Sequence, residues 1–197
     1  MVSKTIDYYN QNASEFVSNT IGVDMEANQK RFCERLPKGA FILDFGCGSG
    51  RDTTCFLNQG YQVEAVDGSK ELCRLASDFT GMNVQHMYFY ELDREEIYDG
   101  IWACSSILHL SINELKHVLL KVAEALKAEG IVYASFKYGN FQGERNGRYF
   151  TDLNEERLNR LVDETAVFTI EETWITSDVR PARDEGKWLN TILKKKE

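Results

Sequence analysis

The stretch Ala40-Phe41-Ile42-Leu43-Asp44-Phe45-Gly46-Cys47-Gly48-Ser49-Gly50-Arg51 decides the fold. Its first half is a short apolar run without alternation, which suits a strand covered on both faces of a parallel sheet. Its second half is a glycine turn that opens a helix over Arg51 to Asn58, stopped near Gly60. Glycines at 46, 48 and 50 let the backbone turn tightly and approach a ligand closely. The free N–H groups at the helix start favour a carboxylate or phosphate.

Working outward, Tyr61 to Val66 reads as a second strand closed by Asp67-Gly68. Ser69 caps a helix running to about Ser77. Val84 to Phe89 and Ile101 to Cys104 read as the third and fourth strands. Ser111 to Glu114 has capping-box spacing. Behind it Leu115, Val118, Leu119, Val122 and Leu126 recur on one helical face. Glu129-Gly130 ends that helix before a fifth strand, Ile131 to Phe136. Lys137 to Thr151 reads as a long loop, and a helix follows over Leu153 to Val162. The C-terminal alternation of Phe168, Ile170, Trp174 and Ile175 with Trp188, Leu189, Ile192 and Leu193 predicts two antiparallel edge strands flanking 177–186. Before the core, helices are expected at Thr5 to Ser18 and Asp24 to Leu36, the second stopped by Pro37-Lys38-Gly39. The fold class is therefore α/β: a doubly wound, mostly parallel, seven-stranded Rossmann-like sheet with an antiparallel C-terminal edge and N-terminal helices. No linker-like stretch divides 1–197, so one domain is expected. Within it, 1–38 reads as a helical lid, 39–136 as the core that holds a cofactor, and 137–197 as an acceptor loop with the terminal strands.

Composition narrows the partners. The chain has 197 residues, 23 basic and 31 acidic side chains, and a net charge of −8. Such a balance repels phosphate backbones, so a nucleic-acid partner is disfavoured and a small-molecule partner expected. The only basic run, Lys194 to Lys196, reads as a solvated end. Cys33, Cys47, Cys55, Cys73 and Cys104 are scattered and odd in number, the pattern of reduced thiols rather than a disulfide or zinc framework. His86 and His117 lack partners at metal-ligand spacing, so no metal is expected. The N-terminus lacks the apolar core of a signal peptide, and no apolar run reaches membrane-span length. The expected compartment is the cytoplasm. Oligomeric state is not encoded in any pattern.

In an open α/β sheet, ligands bind outside the carboxyl ends of the strands. That brings Asp44 to Arg51, Asp67 to Ser69, Phe89 to Glu91 and the segment after Cys104 around one crevice. A dinucleotide fingerprint would put its third glycine at position 51, where this chain has Arg. "ILDFGCGSGRDT" (Ile42 to Thr53) resembles the first motif of class I S-adenosylmethionine-dependent methyltransferases. "VEAVDGS" (Val63 to Ser69), "YDGIWACSSILHL" (Tyr98 to Leu110) and "VAEALKAEGIVYASF" (Val122 to Phe136) resemble the segments that follow in that family. The order of the four carries the likeness. Among subfamilies the chain resembles small bacterial methyltransferases of the tellurite-resistance type.

The resemblance implies S-adenosyl-L-methionine as cofactor and methyl transfer to a small acceptor by in-line displacement. It implies that Asp44, Gly46, Gly48 and Gly50 shape the methionyl pocket, with Cys47 and Ser49 lining it through backbone and Arg51 facing the methionyl carboxylate. Asp67 holds the ribose beside Gly68 and Ser69, Phe89 and Tyr90 flank the adenine, and Cys104 begins the segment beneath the sulfonium. Such chemistry needs positioning more than a fixed base. His109 is the one base candidate, set against a plain wall histidine. Cys47 has a second reading as a thiol activated at a helix start. Tyr8, Tyr9 and Phe16 read as a lid or as the stripe that docks the first helix. Tyr9, Arg145, Arg148 and Tyr149 are the acceptor-binding candidates, two arginines among aromatics suiting an anionic or planar molecule. Arg180 and Arg183 raise the same question, whereas Trp174 and Trp188 read as core. The alternatives are a nicotinamide-dependent oxidoreductase, against which Arg51 and the lack of a Tyr-x-x-x-Lys pair argue, and a non-catalytic S-adenosylmethionine-binding sensor.

Overall fold

A computed structural model describes residues 2–178 and 186–196. Arg180 and Arg183 lie outside the described residues. Seven strands form one sheet: β1 Phe41–Phe45, β2 Gln62–Asp67, β3 Gln85–His86, β4 Tyr98–Ala103, β5 Leu126–Lys137, β8 Phe168–Ser177 and β9 Lys187–Lys195. Their order is β3-β2-β1-β4-β5-β9-β8. β1 to β5 pair in parallel, and β9 runs antiparallel between β5 and β8. This is the doubly wound sheet with an antiparallel edge that the strand pattern predicts. Among the described residues, no helix is long and apolar enough to cross a membrane.

β1 lies inside the sheet, between β2 and β4, and both of its faces are covered. Leu43 and Phe45 point into the layer with α6 (Ile112–Ala125) and α7 (Glu155–Thr165). Ile42 points the other way, to Phe32 on α3 (Glu26–Cys33) and Phe56 on α4 (Arg51–Asn58). Trp102 is fully buried in that second layer and stacks on Tyr133 at 3.9 Å between ring centroids. Burying side chains of this size stabilises the fold by about 1.5–3 kcal/mol each. Caps define the helix starts: Ser69 accepts from Leu72 N–H at the head of α5 (Lys70–Thr80), and Ser111 and Glu114 form a capping box on α6.

Four local expectations change. The expected 5–18 helix is two helices, α1 Val2–Gln11 and α2 Ala13–Thr20. They break at Asn12, which leaves helical geometry and whose amide donates back to the Tyr8 carbonyl at 2.7 Å. The third strand shrinks to Gln85–His86, because the edge chain then curls into a 3₁₀ turn over Phe89–Glu91. α6 ends at Ala125, and Leu126 already pairs with Tyr98. The residues up to Gly130 bulge out before Ile131 pairs with Gly100, with Glu129 at φ +65°. The stretch expected as a long loop, 137–151, contains a hairpin of β6 Gln142–Arg145 and β7 Arg148–Thr151. Its two-residue turn is Asn146-Gly147, at φ +52° and +74°. Asn-Gly is the preferred pair for a tight hairpin turn, and that signal was present in the sequence.

Candidate functional site

A cavity of about 380 Å³ opens at the carboxyl ends of β1, β2, β4 and β5, with α1 and α2 over it. Gly46, Cys47, Gly48, Ser49 and Arg51 form one wall, Asp67 and Gly68 another, and Phe89 and Tyr90 a third. Cys104 and His109 come from the segment after β4, and Tyr9 and Arg148 complete the far side. Asp44, Gly50 and Ser69 stand behind this wall instead of in it. Asp44 accepts the Thr53 hydroxyl at 2.6 Å, Gly50 faces Thr80 and Ala76 of α5, and Ser69 caps that helix.

Asp67, at the end of β2, is buried yet reaches the cavity. Its Oδ2 accepts Gly48 N–H at 3.0 Å and its Oδ1 accepts Ser69 N–H at 2.8 Å. Burial raises its pKa, while the N–H groups of Ser69, Gly48 and Gly68 oppose that rise. A carboxylate offers about four acceptor positions. One oxygen is therefore fixed to the glycine turn and the other to the α5 cap, and each keeps a lone pair.

Arg51 lines the cavity, but its charge is matched. Its Nε and Nη2 donate to the two Asp52 oxygens at 2.9 and 2.7 Å. Asp52 also accepts Gln29 Nε2 at 2.7 Å and Trp102 Nε1 at 2.8 Å. An anion at this end would therefore meet the backbone N–H groups at the start of α4 more than a free Arg51. Asp52 is a wall residue that sequence reading missed, since an acid in the first turn of a helix looks like an ordinary dipole match.

Behind Asp52, Asp44 is buried among the β1 side chains. Burial first, and the nearby Asp52 second, push its carboxyl up to about 8. Between about pH 4, where an unfolded Asp titrates, and about pH 8, the folded chain keeps a proton that the unfolded chain releases. Stability conferred here is therefore lost as pH rises through that window. Asp44→Asn is expected to flatten this slope, read as urea midpoints at acidic, neutral and mildly alkaline pH. Parallel curves for the two proteins would remove Asp44 from the account.

Two thiols behave as buried groups. Burial, with Asp44 and Asp67 nearby, pushes the Cys47 thiol well up, which argues against the activated-thiol reading. Burial likewise pushes Cys104 up to about 12.

The far side is built on His109. Its Nδ1 lies 2.7 Å from the Tyr149 carbonyl and its Nε2 lies 2.8 Å from Tyr9 Oη. A carbonyl only accepts, so Nδ1 carries the proton and Nε2 accepts the Tyr9 hydroxyl. Tyr9 Oη in turn accepts Arg148 Nη1 at 3.3 Å. Burial, with Arg148 and Arg145 adding to it, lowers His109 to about 4, so the ring is neutral near pH 7. Tyr149 contributes its backbone; its hydroxyl accepts Gln142 Nε2 at 3.0 Å, outside the cavity wall. Arg145 also stands outside the wall, bound to the buried Asp152 and lying over Phe141 and Phe150.

The last parallel strand and its antiparallel neighbour supply wall residues that were not anticipated: Ser135 and Lys137 from β5, and Trp188 and Asn190 from β9. Trp188, expected in the core, lines the cavity, while Trp174 packs beneath Arg31. Asn190 is buried and accepts Tyr133 Oη at 2.7 Å. A polar Asn at 190, on the same strand face as Trp188 and Ile192, was the available signal.

Known proteins resemble this chain in sequence and in fold. Residues 42–130 match the family model described as a methyltransferase domain. YqeM of Bacillus subtilis (strain 168), a protein named as a methyltransferase, is 31% identical over 114 residues, covering 52% of this chain and 46% of that protein. The chain spans less than half the length of the curated relatives it matches. The 1,6-didemethyltoxoflavin-N1-methyltransferase of Burkholderia thailandensis, solved with 1,6-didemethyltoxoflavin and S-adenosylhomocysteine, superimposes with a TM-score of 0.80 at 22% identity, covering 100% of this chain and 89% of that one. A TehB-like S-adenosylmethionine-dependent methyltransferase of Corynebacterium glutamicum gives 0.70 at 22% identity, covering 97% and 98%. Residues 42–130 thus resemble a methyltransferase domain in sequence, and the described fold is similar to that of solved S-adenosylmethionine-dependent methyltransferases.

Proposed function

We propose that this protein binds S-adenosylmethionine along the glycine turn and transfers its methyl group to a small-molecule acceptor. One observation carries the reading: Asp67, fixed by Gly48 and Ser69 N–H groups, stands in the cavity wall beside the turn at Gly46 to Ser49. The carboxylate is suited to a pair of ribose hydroxyls, and the start of α4 to a carboxylate. Phe89 and Tyr90 offer flat faces for an adenine ring.

The cofactor supplies an activated methyl group on a sulfonium, so the protein's task is alignment. Gly46 to Ser49 and Asp67 fix one end, and Cys104 and Ser105 border the space into which the methyl group would face. α1 and α2 contribute Thr5, Ile6, Tyr9, Phe16 and Thr20 to the wall and act as a lid that excludes water. In this reading 1–38 is the lid, 39–136 holds the cofactor and 137–197 shapes the acceptor side, within one domain. His109 receives a proton at Nε2 only when Tyr9 yields its own, so it is a base through Tyr9 or a positioning group. Five free cysteines suit a reducing cytoplasm.

Calorimetric titration with S-adenosylhomocysteine and with NADH tests the reading. S-adenosylhomocysteine is expected to bind and NADH to give no heat; binding of NADH alone would favour the oxidoreductase. Incubation with methyl-labelled cofactor and a metabolite extract then separates an enzyme from a sensor. Transfer of label to an extract component is the expected result.

A further inference from the structure

Arg148 is a cation in the cavity wall that the cofactor reading does not use, and, unlike Lys137 beside Asp178, it has no carboxylate ion pair among the described residues. Arg148, on β7, lies over the rings of Tyr8 at 4.4 Å, Phe150 at 5.2 Å and Tyr9 at 5.6 Å. Tyr9 Oη takes one of its five N–H donors. Its Nε is buried and has no hydrogen-bond partner among the described residues. Among those residues no carboxylate forms an ion pair with it. Its partner across the hairpin is Arg145, whose charge is matched by Asp152. Two arginines facing each other repel, and one of them carries no counter-charge.

An unmatched cation in a partly dry wall costs free energy, which three aromatic faces offset only in part. An anionic ligand would remove the remaining cost. Guanidinium suits a flat anion, because its donors form a planar fork. The methionyl carboxylate already has a place at the start of α4. Arg148 sits instead with Tyr9 and His109, whose ring lies 4.8 Å from Phe150.

We propose that Arg148 is the specificity residue of the acceptor site, and that the acceptor is a small, flat anion whose negative group meets this guanidinium while its body lies against Phe150. The inference rests on the methyl-transfer reading and names its substrate class.

The test uses the full chain saturated with S-adenosylhomocysteine. Benzoate, picolinate and indole-2-carboxylate are titrated in parallel with their primary amides, against the wild type, Arg148→Met and Arg148→Lys. Methionine keeps apolar bulk over the three rings. The carboxylates are expected to bind the wild type more tightly than the amides. Arg148→Met should cost the carboxylates about 10- to 100-fold and leave the amides unchanged. Arg148→Lys should fall between, since it keeps the charge without the fork. Unchanged S-adenosylhomocysteine affinity and melting temperature in Arg148→Met show that the variant is folded.

Equal affinity for acids and amides, or no carboxylate binding at millimolar concentration, overturns the proposal. So does a loss of S-adenosylhomocysteine affinity in a folded Arg148→Met protein, which would assign the charge to the cofactor. A wild type that fails to bind S-adenosylhomocysteine overturns the underlying reading instead, and is seen before any acceptor is added.

Discussion

Asp67→Ala is expected to weaken S-adenosylhomocysteine binding by about 100- to 10,000-fold, the largest loss of affinity from any single truncation in the cavity. The size follows from two charge-assisted hydrogen bonds to ribose hydroxyls, each worth about 1.5–3 kcal/mol. The same truncation frees Gly48 N–H and Ser69 N–H from their acceptor, so the glycine turn loses one of its ties to β2 and keeps the Gly46 and Cys47 N–H bonds to the Val66 carbonyl. Asp67→Asn keeps one oxygen and should fall between the wild type and the alanine variant. Calorimetry against S-adenosylhomocysteine reads both. An alanine variant within about threefold of the wild type would mean that the ribose is held elsewhere.

Gly46→Ala is expected to give the largest loss of stability. Gly46 stands at φ +90°, where an L side chain is strained by about 1–3 kcal/mol. A Cβ there would lie 2.5 Å from Ser106 Cβ. Ser106 has little room to yield, because it is buried and its hydroxyl donates to the Phe45 carbonyl at 2.6 Å. Overpacking of this kind adds about 1–3 kcal/mol. Urea unfolding should therefore show about 2–6 kcal/mol of destabilisation, and cofactor affinity should fall with it. The double variant Gly46→Ala/Ser106→Gly should recover the steric share and leave the strain. Additive losses in that cycle would place the clash somewhere other than Ser106.

The far side of the cavity shows why some of the candidate site was hidden. Asp67 was legible because a strand, an acid and a glycine follow one another in the chain. In the sequence, Arg148 is one of two arginines in a loop-like stretch. Neither its contact with Tyr9, 139 positions earlier, nor the matching of Arg145 by Asp152 is written in local spacing. Arg51 was legible as a cation at the turn, but its capture by Asp52 depends on Gln29 and Trp102 from two other elements. Trp188 and Asn190 became wall residues because β9 inserts between β5 and β8. Strand alternation gives the two faces of such a strand and leaves open which face meets the cavity.

Sequence by itself determined the sheet class, the glycine turn, Asp67 and the antiparallel edge, since these follow from apolar runs, turn residues and caps that act over a few neighbouring positions. Tertiary structure alone decided which charges are matched and which proton His109 keeps. Those depend on groups brought together from distant parts of the chain, and on burial, which sets the strength of every charge among them.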